Sequence, residues 1–245
     1  MICISICSDT KKRAFRDIRK AMSLCDLLEL RMDRIRDGNL PELIRYIEEQ
    51  VPDKPVLVTY RKTGEDALKR RRAAEKNGAG ELAETERWEM LQEAVRLGVS
   101  YVDVEMDDEQ DRIGELKTMI VQYGCRTRLV CSHHDFTGTP SLRTLKSVYR
   151  SCVDKGADVV KIVPLARCVE DNLTVLRFLA WAIKQGRDVV AFCMGEKGQI
   201  SRIASPLFGA LFTFAALDDR STAAPGQLPA RDMEKIFRIL QVKGT

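Results

Sequence analysis

The chain has 245 residues, 44% hydrophobic and 31% charged, which fits an ordinary globular protein able to bury a sizeable core. Forty Lys and Arg against 36 Asp and Glu leave a formal charge of +4, too balanced to imply nucleic-acid binding. No apolar run approaches the roughly 20 residues needed to span a bilayer, and the N-terminus MICISICSDTKKR runs apolar before basic, the reverse of a secretory leader, so a cytoplasmic home is expected.

Taken in chain order, β-rich runs at 2–5, 26–32, 55–61, 101–106, 128–133, 158–164, 188–194 and 211–217 alternate with helical spacing at 11–24, 40–50, 81–97, 111–123, 140–155, 170–185, 197–209 and 230–241. The runs are near-continuous Val, Ile, Leu and Cys, as in strands covered on both faces. In 81–97, Leu82, Trp88, Leu91, Val95 and Leu97 form an apolar stripe, and Gly156 and Gly186 stand as helix stops. Eight strand–helix repeats predict a (β/α)8 TIM barrel occupying 1–245 as a single domain. A doubly wound open sheet competes on pattern alone, but neither GxGxxG nor GxxxxGK[ST] is present. The run at 211–217 also fits a helix. Eight scattered cysteines with no CxxC pair read as buried free thiols. The basic run Lys69–Arg72 reads as a solvated helix face.

Barrel sites form where strands end at their C-termini. The polar residues there are Glu29, Arg31 and Asp33 on strand 2, Arg61 and then Glu65 after strand 3, and Asp103 and Glu105 on strand 4. Ser132, His133, His134 and Asp135 follow on strand 5, Lys161 on strand 6, and Met194 and Arg202 after strand 7. Lys161 shares a strand face with Val159 and Val163. Lost solvation and nearby arginines such as Arg31 or Arg202 would free its amine as a nucleophile, while pairing with a strand carboxylate such as Glu105 would make it structural. Both readings stand on the residue alone. Adjacent histidines point to opposite strand faces, so at most one enters the site and neither suits a metal; no metal site is expected. One beside Lys161 would be a proton shuttle.

The motifs ELRMD, TYR followed by GE, VDVE, SHHDFTGTP, GADVVKIV, MGEKGQISR and APGQLP, in that order, resemble the type I 3-dehydroquinate dehydratases. The resemblance implies a hydro-lyase of the shikimate pathway, leading to aromatic amino acids through chorismate. Such an enzyme converts 3-dehydroquinate to 3-dehydroshikimate by syn elimination, with no cofactor and no metal. By position it makes Lys161 the Schiff-base lysine and His134 the proton shuttle, with His133 secondary and Glu65 orienting His134. Arg202 would pair with the substrate carboxylate. Glu29, Arg31, Arg61 and Gln227 would bind hydroxyls and line the pocket, and Met194 and Phe214 would pack on the ring. Many such enzymes carry Ser or Thr where this chain has Ala223; Ser221 and Thr222 lie just upstream. The expected partner is the small-molecule substrate, with no nucleic acid and no membrane. A homodimer fits the resemblance, although no interface signature is visible. A loop at 218–227 acting as a lid is a further expectation. Against these stand a class I aldolase, which would need a phosphate cradle after strands 7 and 8, a barrel that only binds a carboxylate, and one module of a larger assembly.

Overall fold

The computed structural model describes residues 1–62, 80–218 and 224–241. Eight strands run parallel: β1 (Ile2–Ile6), β2 (Leu27–Arg31), β3 (Val56–Thr59), β4 (Tyr101–Glu105), β5 (Arg128–Asp135), β6 (Val159–Pro164), β7 (Asp188–Ala191) and β8 (Thr213–Ala215). Their order is 7-6-5-4-3-2-1-8, and the Leu211 N–H bonds the Val189 carbonyl at 2.9 Å, bringing the last strand against β7. Each strand leads to a helix: α1 (Lys11–Ala21), α2 (Leu40–Gln50), α3 (Gly80–Arg96), α4 (Gln110–Gln122), α5 (Leu142–Asp154), α6 (Asp171–Ala182), α7 (Gln199–Ala204) and α8 (Ala230–Ile239). This is the expected (β/α)8 barrel. The ambiguous run at 211–217 resolves as β8, because its alternate residues Phe212 and Phe214 point into the barrel.

Local chemistry places the helix ends. The Asn39 side chain accepts from the Glu42 N–H at 3.0 Å and Pro41 opens α2, while Ser141 accepts from Thr144 N–H to start α5. The predicted stops hold at Gly156 (φ +86°) and Gly186 (φ +80°), left-handed positions that penalise any Cβ.

Two apolar layers follow from the strand period of two. Outward residues such as Ile4, Leu28, Val58, Val104, Cys131, Val160 and Val189 pack against helix faces that include Trp88, Leu91 and Val95 of the predicted stripe. The side chain of Leu82 and the run Lys69–Arg72 lie outside the described residues. Inward residues Cys3, Leu27, Leu57, Val130, Val159, Val190 and Phe212 close the barrel's lower half. The cysteines are free as expected, but not all are interior: Cys168 is exposed, since it sits in the turn before α6 rather than in a strand. Among the described residues no helix is long and apolar enough to cross a membrane.

Candidate active site

Two residues beyond each inward apolar residue the pleat points inward again, and there the chemistry changes. Cys3 gives way to Ser5, Leu27 to Glu29, Leu57 to Thr59, Val130 to Ser132 and Val159 to Lys161, while β7 and β8 stay apolar with Phe192 and Phe214. The register sets these side by side: Ser5 beside Glu29, Thr59 beside Asp103, Ser132 beside Lys161. A polar storey rests on an apolar floor.

Lys161 is 3% exposed, and its Nζ lies 3.2 Å from Asp103 Oδ2, 3.6 Å from Glu29 Oε1 and 4.3 Å from the centre of the Phe214 ring. Its paired carboxylates come from β4 and β2. Glu105, the partner entertained from sequence, stands one pleat higher; it takes the Lys62 N–H at 2.8 Å and lies 3.4 Å from Arg61 Nη1. Arg61 grips Asp103 with both nitrogens, Nη1 to Oδ1 at 2.8 Å and Nη2 to Oδ2 at 2.7 Å, and Ser132 Oγ donates to Oδ1 at 2.6 Å. Burial pushes the Asp103 carboxyl up, but Arg61 and Lys161 outweigh it and hold the group well below the usual carboxylate range. Glu29 accepts from Thr59 Oγ1 at 2.8 Å and from Ser5 Oγ. The acids and bases of this half satisfy one another.

His134 belongs to the same inward set as Ser132 and is registered against Val163, two residues beyond Lys161 toward the mouth. Desolvation first, then the positive charges of Arg61 and Lys161, hold its imidazole well below the usual histidine range. It is therefore a neutral base at neutral pH. His133 falls on the alternate parity, as the strand geometry predicts. Arg31, half-buried near the rim, makes a two-pronged contact with Asp33 at 2.8 and 2.9 Å. Glu65 and Ala223, with Ser221 and Thr222, lie outside the described residues.

The β7–β8 side is built differently. Arg202 enters from α7 and is 1% exposed, yet among the described residues no carboxylate lies within 4.0 Å of its guanidinium. It lies over the Phe192 ring at 4.5 Å, Nη2 reaches the Pro225 carbonyl at 3.4 Å, and buried Nε has no hydrogen-bond partner. Burial pulls this guanidinium down to about 10. Its backbone is pinned, since Thr213 Oγ1 donates to the Arg202 carbonyl at 2.9 Å. The APGQ segment arrives through a close crossing: Gly195 N–H donates to the Pro225 carbonyl at 3.0 Å, and a Cβ on Gly226 (φ +79°) would overlap the Gly195 carbonyl oxygen. That crossing brings Gln227, nearly buried, to the side of the site where Met194 and Phe214 supply buried apolar wall. A buried cation facing no acid is costly unless an anion joins it.

So the structure gathers Lys161, Glu29, Arg61 and Phe214 about one centre, sets His134 above it, and lines the adjoining wall with Arg202 and Met194. Ser5 and Thr59, which bind Glu29, and Asp103 and Ser132, which bind each other, carry no role in the pattern expected from sequence. The available signal was parity: each lies two residues after a floor residue on its strand. Among the described residues no cluster of His, Cys, Asp and Glu is arranged to hold a metal.

Known proteins are similar along nearly the whole chain. The family model described as type I 3-dehydroquinase matches residues 2–244. A 3-dehydroquinate dehydratase from Desulfotalea psychrophila is 32% identical over 236 residues, 96% of each chain. One from Pyrococcus abyssi is 32% identical over 98% of each. In three dimensions, the barrel overlays the crystal structure of the type I 3-dehydroquinate dehydratase from Clostridium difficile with covalently modified comenic acid. That likeness has a TM-score of 0.79 at 24% identity, over 98% of this chain and 91% of the other, and bears on the fold. With the family match spanning 2–244 and these relatives sharing about a third of their residues end to end, the chain belongs to the type I 3-dehydroquinase family.

Proposed function

We propose that this chain dehydrates 3-dehydroquinate to 3-dehydroshikimate, a step of the shikimate pathway, through an imine on Lys161. The observation that carries the reading is a buried amine at the centre of the barrel mouth, with a neutral histidine above it and, beside it, an arginine that no carboxylate of the described residues approaches.

The amine of Lys161 adds to the ring ketone, the new C–N bond displaces the carbonyl π pair onto oxygen, and that oxygen, taking one proton from the nitrogen and one from solvent that hydrolysis later returns, leaves as water to give an iminium. The iminium is an electron sink, so the neighbouring carbon loses its proton more readily. Neutral His134 takes it, and the resulting enamine expels the β-hydroxyl, which leaves as water with the proton from His134. Such acid–base help is worth roughly 10²–10⁴-fold in rate. Water then adds to the iminium and releases product and lysine. The lysine itself supplies the electron sink, so the sequence of steps balances without a coenzyme.

Arg202 receives the substrate carboxylate, whose planar pair of oxygens matches the guanidinium fork and provides the counter-charge that none of the described residues supplies. Glu29, Arg31, Arg61 and Gln227 face the hydroxyls, Met194 and Phe214 pack against the ring, and Glu65 orients His134. The test is direct. Added 3-dehydroquinate should yield the conjugated enone product, followed by its ultraviolet absorbance, and Lys161→Ala should fold without producing it. A folded wild-type chain that leaves 3-dehydroquinate unchanged would overturn the reading.

A further inference from the structure

We propose that Asp103 is the fixed counter-ion of the Lys161 nitrogen, and that Arg61 and Ser132 set how much of its charge that nitrogen feels. The proposal deepens the imine reading above and rests on it for its catalytic consequence.

Asp103 sits at the bottom of β4's polar storey, 1% exposed, with four donors on two oxygens. Oδ1 takes Arg61 Nη1 at 2.8 Å and Ser132 Oγ at 2.6 Å; Oδ2 takes Arg61 Nη2 at 2.7 Å and Lys161 Nζ at 3.2 Å. A carboxylate offers about four lone-pair sites, and here all are used. An acid so fully engaged is a poor base, so it does not take the proton that Lys161 must lose. It remains an immobile negative charge beside the nitrogen. When the neutral carbinolamine becomes the iminium, positive charge develops at that same nitrogen, and a preorganised anion there stabilises it without reorganisation. Unscreened, the same anion would also grip the resting ammonium. The bidentate Arg61 and the Ser132 hydroxyl draw off part of its field. Glu29, the second acid at Nζ, stands further away at 3.6 Å with its oxygens engaged by Ser5 and Thr59. A purely structural Arg61–Asp103 pair would not need an oxygen shared with the reactive lysine.

The clamp predicts opposite signs for two substitutions. Asp103→Asn keeps the shape and removes the charge, so Lys161 should release its proton at lower pH. Ser132→Ala keeps every charge but takes a donor from Asp103, so the carboxylate should hold Nζ harder and the release should move to higher pH. The readout is the pH profile of reductive methylation at Lys161 by formaldehyde and cyanoborohydride, followed by peptide mass without substrate. The other titratable groups about Nζ are the buried Cys3 from β1, Glu29 from β2, Arg61 after β3 and His134 from β5, and both variants keep them.

For Asp103→Asn the midpoint should fall by about one pH unit or more; for Ser132→Ala it should rise by less. With substrate, kcat of Asp103→Asn should drop on the order of 10²-fold as the iminium loses its counter-ion. Unmoved midpoints, or shifts of the same sign, overturn the clamp. Should Asp103→Asn fail to fold, Ser132→Ala decides alone: an upward shift supports the clamp, and none or a downward one overturns it. Because methylation uses no substrate, a wild-type chain inactive on 3-dehydroquinate would defeat the function reading while leaving the clamp to its own result.

Discussion

The two walls of the barrel mouth treat charge in opposite ways. On the β2–β6 wall Lys161, Arg61, Asp103, Glu29 and Glu105 are cross-paired at 2.7–3.6 Å, with Ser5, Thr59 and Ser132 engaging the lone pairs that remain. On the β7–β8 wall Arg202 is as deeply buried but meets aromatic carbon and one backbone carbonyl. A paired cluster preserves its own geometry before anything binds, which suits groups that must act on a bond. An unpaired buried cation has its energy completed by a ligand, which suits recognition.

Substitutions on the two walls should therefore part company. The largest effect expected is on turnover: Lys161→Ala should lower kcat on the order of 10⁴-fold or more while the fold persists, measured by enone formation. Next comes stability. Asp103→Ala removes the two-pronged partner of Arg61, leaving it only the longer Glu105 contact at 3.4 Å, and should cost about 3–5 kcal/mol in urea unfolding, the penalty of breaking a buried pair. Arg202→Met should behave in the opposite sense: equal or greater stability, because a lone buried charge is removed, with KM raised roughly 10- to 100-fold for the lost charge-assisted bonds. If both substitutions destabilise alike, the contrast between the walls collapses. A smaller effect is expected at the crossing that carries Gln227. Gly226→Ala forces a left-handed residue against the Gly195 carbonyl and should cost at least about 1–2 kcal/mol, with KM affected more than kcat.

The finest test is pH. His134 has a folded-state affinity for protons below its unfolded one, so between the two the unfolded chain binds more protons and stability falls as pH drops below about 6.5. His134→Gln should flatten that part of the stability profile in part, leaving the share of His133, which burial shifts in the same direction. For the same reason the acid limb that His134 gives to kcat should lie below about pH 6.5.

Much of this was written in the chain. The eight strands announced themselves because both-face burial leaves unbroken Val, Ile and Leu runs, and Gly156 and Gly186 marked stops because left-handed backbone favours glycine. Lys161 was conspicuous as one charge in an apolar strand. What stayed hidden depends on closure. Asp103 has no visible partner in the sequence until the barrel brings β4 opposite β6 across the lumen, and Ser5 none until β1 registers beside β2. The choice of Asp103 over Glu105 as the partner of Lys161 turns on which pleat faces which height, and strand stagger is invisible in a single sequence. That no acid of the described residues meets Arg202 is likewise a fact of three dimensions, since acids are plentiful along the chain.

The central claim, that Lys161 carries the substrate as an imine, is tested most directly by borohydride reduction in the presence of 3-dehydroquinate. Intact and peptide mass would then be compared with a control lacking substrate. The account predicts one substrate-dependent adduct, on the peptide containing Lys161, absent from Lys161→Ala and formed more weakly by Arg202→Met. A folded, active wild-type chain that stays unmodified, or an adduct on a different lysine, would contradict it.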